Sequence, residues 1–227
     1  MQLELKGIRK DFVSQRGQYH ECLRDVNLVV ESGELFLLYG ASGNGKTTLL
    51  NMMTGMLKPT EGQILLNGKE IQGMKECELA RLRRKCFGYA MQNASLLNAL
   101  TVYENIALPL AFFAKKEPIK LEEQLKKAGL WKVRDSYPSE LSGGEYRRCT
   151  ILRALIHQPD FLFADEPTAN LDDENAKIII EMLDDLRKQG TAVIVATHDR
   201  RFMEGKSQRE FVAEGAIQSC RYIKYVR

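Results

Sequence analysis

The feature that most restricts the possible folds is a glycine-rich stretch at residues 40–48, which reads G-A-S-G-N-G-K-T-T. It fits the pattern G-x-x-x-x-G-K-[ST] and follows an apolar run at residues 35–39. Residues 49–53, which come directly after it, are typical of the first turns of a helix. A strand, a glycine loop and a helix in this order build a concave nest of backbone N–H groups that binds phosphate oxygens. The stretch therefore predicts a nucleotide site formed by Gly40, Ala41, Ser42, Gly43, Asn44, Gly45, Lys46, Thr47 and Thr48.

Two side chains of this loop have expected roles of their own. Lys46 is expected to reach the β- and γ-phosphates, and the Thr47 hydroxyl is expected to ligate Mg²⁺. The alternative interpretation is a simple turn with a solvated lysine. We disfavour it because the glycines, the lysine and the threonine all stand in register with the pattern.

The composition narrows the class of protein. The chain has 227 residues, of which 44% are hydrophobic and 28% charged, so it is long enough and apolar enough to bury a core. A net charge of +3 gives little support for nucleic-acid binding, and no nucleic-acid partner is expected. Five scattered cysteines without a C-x-x-C indicate reduced thiols in a cytosolic protein. Neither a signal peptide nor an apolar run long enough to cross a bilayer is found, so work at a membrane would require a separate anchor.

Apolar periodicity predicts an α/β fold. Alternating residues at 3–8 and 22–30 predict short antiparallel strands ahead of the glycine loop, and Asn67-Gly68 predicts a hairpin. Buried strands and helices then alternate, with strands predicted at 87–91, 161–164 and 192–196 and helices at 145–156 and 174–188. This order implies a mostly parallel sheet with helices on both faces.

A second motif makes the interpretation specific. Residues 141–145 read L-S-G-G-E, and residues 161–167 read F-L-F-A-D-E-P. Together with the glycine loop, Gln92 and His198, in this order along the chain, they resemble the ATP-binding cassette (ABC) ATPases. Residues 96–105 look most like the branch that serves lipoprotein release, macrolide export and cell division.

The resemblance covers essentially the whole chain and implies its organisation. It implies a single domain over residues 1–227, of the P-loop NTPase (RecA-like) type, with an N-terminal antiparallel β region. Residues 1–91 and 158–227 would form the nucleotide-binding core, and residues 92–157 an inserted α-helical subdomain that carries the 141–145 motif.

The resemblance also assigns catalytic and metal-binding residues. Asp165 would help to hold Mg²⁺, and Glu166 would polarise the attacking water. Gln92 would approach the metal and the water, and His198 would contact the γ-phosphate. Read without the family, the acidic pair could be a helix cap and the histidine a structural residue. The neighbouring Ala196, Thr197 and Asp199 favour the functional interpretation of His198.

Several further residues are expected to act through a second cassette or on the adenine ring. In the family, the signature stretch caps the γ-phosphate bound by the opposite cassette, which assigns that role to Ser142, Gly143, Gly144 and Glu145. Asp172 resembles the D-loop aspartate that touches the opposite phosphate site. Phe12 is the preferred residue for stacking on adenine, with Tyr19 as the alternative. Glu145, Ala169, Asn170 and Asn44 depart from the common family residues, which puts fine control of the rate in question.

The expected function is that of an ATP-hydrolysing subunit, using ATP and Mg²⁺, that drives a separate integral membrane permease. It would pair with a second cassette, most simply a copy of itself, and lie in the cytoplasm against the inner face of the membrane. The alternative is an ATPase that regulates a membrane-bound signalling, cell-wall or cell-division complex without transport. A DNA-repair or translation cassette would need a long coiled coil or two cassettes, and neither is found in the sequence. A non-catalytic binding module is disfavoured by Glu166 and His198. The cargo and the direction of transport stay open.

Overall fold

The computed structural model describes residues 1–91, 95–112, 121–204, 209–211 and 221–225, and the strands within these ranges form two sheets. The strands are β1 (Gln2–Val13), β2 (Tyr19–Glu31), β3 (Leu35–Tyr39), β4 (Glu61–Leu66), β5 (Lys69–Glu70), β6 (Phe87–Ala90), β7 (Phe161–Asp165), β8 (Ala192–Thr197), β9 (Arg209–Phe211) and β10 (Arg221–Tyr225). The α-helices are α1 (Lys46–Met53), α2 (Glu76–Cys86), α3 (Val102–Ala107), α4 (Leu121–Lys127), α5 (Gly143–Leu155) and α6 (Asp173–Lys188). Short 3-10 helices lie at Leu108–Phe112, Trp131–Val133, Pro138–Glu140 and Arg200–Met203.

The larger sheet has six strands in the order β6-β7-β8-β3-β10-β9. Its first four strands are parallel, whereas β10 is antiparallel to β3 and β9 is antiparallel to β10. The predicted mostly parallel sheet is therefore confirmed. Strands β9 and β10 were not predicted, because they are short and carry charged residues in place of an apolar run, as strands near a sheet edge commonly do.

The smaller sheet is antiparallel, with the order β2-β1-β4-β5. The prediction of short strands here was wrong, since β1 and β2 have 12 and 13 residues. The two strands stay paired over this length with shifts in the pairing register between Leu5 and Asp11, where the ladder is irregular. The hairpin at Asn67-Gly68 is confirmed, with φ values of 49° and 76° that fit a type I′ turn.

Strands β3, β7 and β8 of the larger sheet are buried on both faces, which explains why they read as continuous apolar runs. Phe36, Phe161 and Phe163 belong to a core that also contains residues of the smaller sheet and of α1. Alternate residues of the same strands, such as Leu37 and Leu162, belong to a second core with residues of α5 and α6. The carboxyl ends of β3, β7 and β8 are thereby held side by side.

A third core lies among the helices between β6 and β7. It contains Val102 and Ile106 of α3, Leu125 of α4, and Cys149 and Leu152 of α5. The division of the chain at residues 92 and 157 stays a prediction, and Gln92 lies outside the described residues. Within this region the helix predicted from residue 145 to 156 instead begins at Gly143 and ends at Leu155. The earlier start follows from Ser142, whose side chain caps the helix.

Candidate functional site

The glycine loop connects the carboxyl end of β3 to α1, which begins at Lys46. Gly43 and Gly45 have φ values of 85° and 71°, in the left-handed region that favours glycine. A Cβ on Gly43 would meet no heavy atom within 4 Å, so backbone conformation and not space explains this glycine. The loop therefore has the conformation that a phosphate-binding nest requires.

Lys46 is buried beneath the loop, with 7% of the residue exposed. Its Nζ donates hydrogen bonds to the carbonyl oxygens of Gly40, at 2.7 Å, and Ala41, at 3.0 Å. The same Nζ lies 3.7 Å from Oε1 of Glu166. The positive charge thus stands between the glycine loop and the carboxylate that was predicted to act on water.

Thr47 and Asp165 meet at the first turn of α1. The Thr47 hydroxyl donates to Oδ2 of Asp165 at 2.8 Å, and Asp165 is the last residue of β7, only 3% exposed. Burial raises the pKa of Asp165, and the hydrogen bond from Thr47 opposes this effect. A hydroxyl and a carboxylate at this distance are hard oxygen donors that suit Mg²⁺. Next to them, the Thr48 hydroxyl lies 3.7 Å from the Cys22 thiol, a contact that the sequence did not indicate.

Glu166 follows β7 in the left-handed conformation, with φ of 46°. Its carboxylate accepts hydrogen bonds from the Thr197 hydroxyl at 3.1 Å and from the His198 backbone N–H at 3.4 Å. The Nδ1 atom of His198 lies 2.9 Å from Glu166 Oε1, while the histidine side chain remains 59% exposed. Because β7 and β8 are neighbouring parallel strands, their carboxyl ends bring together two residues that lie 32 positions apart in the chain.

The signature residues 142–145 form the start of α5. The Ser142 hydroxyl accepts from the Glu145 backbone N–H at 3.3 Å, and Glu145 Oε2 accepts from the Ser142 hydroxyl at 2.7 Å. This hydrogen bond from the Ser142 side chain lowers the pKa of Glu145. Ser142 and Gly143 are exposed, whereas Gly144 is buried, and a Cβ on Gly144 would lie 1.9 Å from Oδ1 of Asn175. The first two residues of the motif therefore face outward, and the third is a glycine because a side chain has no room.

Asp172 caps α6 within its own chain. Its Oδ1 accepts hydrogen bonds from the backbone N–H of Asn175 at 2.8 Å and from the Asn175 side chain at 3.0 Å. The backbone N–H of Asn175 lowers the pKa of Asp172. Through Asn175, whose Oδ1 also accepts from Arg148, the predicted D-loop is joined to α5.

The two candidates for adenine stacking lie on paired strands. Phe12 is opposite His20 and Val13 is opposite Tyr19, so the side chains of Phe12 and Tyr19 point to opposite faces of the pair. Phe12 is 41% exposed and Tyr19 81% exposed. Both rings are therefore accessible, and they lie on opposite faces of the β1–β2 pair.

Arg147, a buried arginine of α5 that contacts the backbone around Glu166, was missed by the sequence analysis. Arg147 donates hydrogen bonds to backbone carbonyls at both Asp165 and Pro167, on either side of Glu166. A signal was present, because Arg147 precedes Ile151 by four residues and Leu155 by eight, which places it on the apolar face of α5. A charged residue on such a face needs partners in the interior.

The sequence and the structure were compared with known proteins. The family model described as ABC transporter matches residues 23–169. The ABC transporter ATP-binding protein YtrE of Bacillus subtilis (strain 168) is 40% identical over 193 residues, covering 82% of this chain and 84% of that protein. The lipoprotein-releasing system ATP-binding protein LolD of Buchnera aphidicola subsp. Schizaphis graminum is 38% identical over 207 residues, covering 89% and 90%.

One solved structure with the same fold is of a cassette that has its hydrolysis products bound. It is the dimeric structure of a post-hydrolysis state of the ATP-binding cassette MJ0796 bound to ADP and Pi. The two chains superpose with a TM-score of 0.83 and 30% sequence identity, covering 96% of this chain and 97% of that one. The predicted P-loop fold and the predicted family are confirmed by these matches.

Proposed function

Because this chain belongs to the ABC transporter family and is one of its ATP-hydrolysing, ATP-binding subunits, we propose that it works as half of a pair of cassettes that drives a separate integral membrane permease. The observation that carries the proposed chemistry is the position of Glu166. Its carboxylate stands beside His198 Nδ1 at 2.9 Å and Lys46 Nζ at 3.7 Å, directly after the residue that binds Thr47.

These contacts support separate roles for the residues that bind the phosphates and those that bind the metal. Lys46 neutralises the β- and γ-phosphates once ATP replaces the loop carbonyls as its partners. Thr47 and Asp165 hold Mg²⁺, which supplies charge stabilisation for the phosphates when it is bound. Gln92, which lies outside the described residues, is proposed as a further contact to the metal and the water.

Hydrolysis then needs a base and an orienting group. Glu166 accepts a proton from water as the water oxygen forms a bond to the γ-phosphorus, and the bond from that phosphorus to the β–γ bridging oxygen breaks. The products are ADP and phosphate. His198 is held by Glu166 and keeps most of its side chain exposed, so it is free to contact the γ-phosphate.

The start of α5 supports pairing with a second cassette. Ser142 and Gly143 are exposed at the N-terminus of a helix of 13 residues, where unpaired N–H groups favour an anion. We propose that these residues, with Gly144 and Glu145, cap the γ-phosphate bound by the opposite cassette, and that Asp172 approaches the same site. The dimeric MJ0796 cassette has the same fold, and a homodimer is the simplest assembly for this chain.

Replacing Phe12 with alanine is expected to raise the dissociation constant for ATP by about five- to tenfold, because a ring stacked on adenine contributes about 1 kcal/mol. The affinity for inorganic triphosphate, which has no base, should stay within about twofold of the wild-type value. Tyr19→Ala is the matched control, since Tyr19 points to the other face of the strand pair. Calorimetric titration of both ligands is the measurement. A loss of ATP affinity in Tyr19→Ala alone would assign the adenine to Tyr19.

Among the described residues, no helix is long and apolar enough to cross a membrane. Because its relatives include ATP-binding proteins of transport systems, we propose that the chain resides in the cytoplasm and is held at the inner face of the membrane by the permease. Co-expression with its permease should shift the chain from the supernatant to the membrane pellet, and both proteins should co-purify in detergent. Equal recovery with membranes in the absence of the partner would contradict this arrangement.

A further inference from the structure

Arg147 has hydrogen-bond partners unlike those of a surface arginine. It is 9% exposed, and its Nε donates to the Pro167 carbonyl and its Nη1 to the Met91 carbonyl, each at 3.0 Å. Its Nη2 donates to the Asp165 carbonyl at 3.0 Å and also to the Glu166 carbonyl. One guanidinium therefore binds the backbone oxygens of three successive residues, 165–167.

Three successive carbonyls rarely point the same way in an extended chain, because neighbouring residues of a strand alternate in direction. The turn at Glu166, with φ of 46°, makes their convergence possible. The same turn directs the Glu166 side chain towards Lys46 and His198. A left-handed glutamate is an uncommon conformation that persists only where its surroundings hold it.

We propose that Arg147 is a positioning residue for ATP hydrolysis, whose guanidinium holds the turn at Glu166 in the conformation that aims the carboxylate at the phosphate loop. The inference rests on the role proposed above for Glu166. Arg147 itself is expected to touch neither ATP nor water.

An arginine suits this position better than a lysine. Its planar group presents five N–H donors in a fixed fork, so it can bind several carbonyls at once without moving. Burial lowers the pKa of Arg147, and the negative charges of Asp165 and Glu166 act in the opposite direction. The two carboxylates thus help to retain the positive charge in the interior.

The position of Arg147 also links Glu166 to the signature motif. Arg147 is on α5, five residues after Ser142, and the Met91 carbonyl that it binds lies just after β6. A movement of α5 relative to β7 would pull on the carbonyls of residues 165–167. When the start of α5 caps the nucleotide bound by the opposite cassette, this contact would be transmitted through Arg147 to Glu166 of the chain that supplies α5.

Arg147→Lys is the decisive variant, because it keeps the charge and replaces three donor nitrogens with one. It should lower kcat for ATP by about tenfold to a hundredfold, as expected for a misplaced catalytic group. The KM and the dissociation constant for ATP should stay within about twofold, since the nucleotide contacts are unchanged. Arg147→Met, which also removes the charge, should lose more activity and melt at a lower temperature.

Arg153→Lys is the matched control. Arg153 is on the same helix and donates to a single backbone carbonyl, that of Ser95, at 3.1 Å. Its replacement by lysine should leave kcat within about twofold of the wild-type value, because one donor suffices there.

A double-mutant cycle with Glu166→Gln separates positioning from a general effect on structure. If Arg147 acts through Glu166, Arg147→Lys should cause less than about a twofold further loss in the Glu166→Gln protein, measured as single-turnover hydrolysis over hours. Equal losses in both backgrounds, a wild-type kcat for Arg147→Lys, or a Lys variant that does not fold would each overturn the proposal. Wild-type turnover by Glu166→Gln would instead refute the role of Glu166, and the role of Arg147 with it.

Discussion

Replacing Lys46 with alanine is expected to lower steady-state ATP turnover by about 10²–10³-fold, a loss of about 3–4 kcal/mol of transition-state stabilisation. The reason is the place of its charge. Nζ is buried between the glycine loop and Glu166, where no other described lysine or arginine contacts the carbonyls of Gly40 and Ala41. The negative charge that develops on the phosphates would lose a partner that stands ready before the reaction begins.

The fold should survive this change. Lys46 is the first residue of α1, and alanine is at least as favourable in a helix. The melting temperature should therefore shift by only a few degrees. Lys126→Ala is the control, because Lys126 is an exposed lysine of α4 that pairs with Glu122 on the same helix. Phosphate release and thermal melting of all three proteins test the prediction, and near-normal turnover by a folded Lys46→Ala protein would contradict it.

The site could be located from sequence because its parts stand next to strand ends. The glycine loop, the pair Asp165-Glu166 and His198 each follow an apolar run, and parallel strands bring their carboxyl ends to one edge. Knowing the strand order was not necessary to expect these residues together. The contacts among Lys46, Glu166 and His198 then follow from the fold.

Other features depend on tertiary structure that a local pattern does not contain. The lengths of β1 and β2 depend on irregular strand pairing, which the local alternation of apolar and polar residues does not predict. Strand β10 is formed by pairing with β3, and its own residues carry charge. The partners of Arg147 are backbone carbonyls, which every residue has, so residue types do not indicate them. The choice between Phe12 and Tyr19 depends on which face of the strand pair meets the adenine, and sequence alone treats the two rings alike.

Glu166→Gln is expected to reduce ATP hydrolysis by about 10²–10⁴-fold, the contribution of a general base, while ATP binding is retained. Glutamine keeps the size of the side chain, so it can still contact Thr197 and His198. Lys46, Thr47 and Asp165 remain in place to hold the phosphates and Mg²⁺. Glu181→Gln, an exposed position on α6, is the control and should turn over ATP at the wild-type rate.

A variant that binds ATP and does not cleave it should also change its assembly. The γ-phosphate would persist as the group that Ser142 and Gly143 of the opposite cassette contact, so the Glu166→Gln protein should accumulate as a dimer with ATP and stay monomeric with ADP or without nucleotide. Size-exclusion chromatography with light scattering measures this directly. Adding Ser142→Arg should abolish the dimer, because a bulky cation would occupy the exposed start of α5. Wild-type turnover by Glu166→Gln would remove Glu166 from its role. An inactive protein that stays monomeric with ATP would leave the chemistry intact and indicate that the second cassette is a different chain.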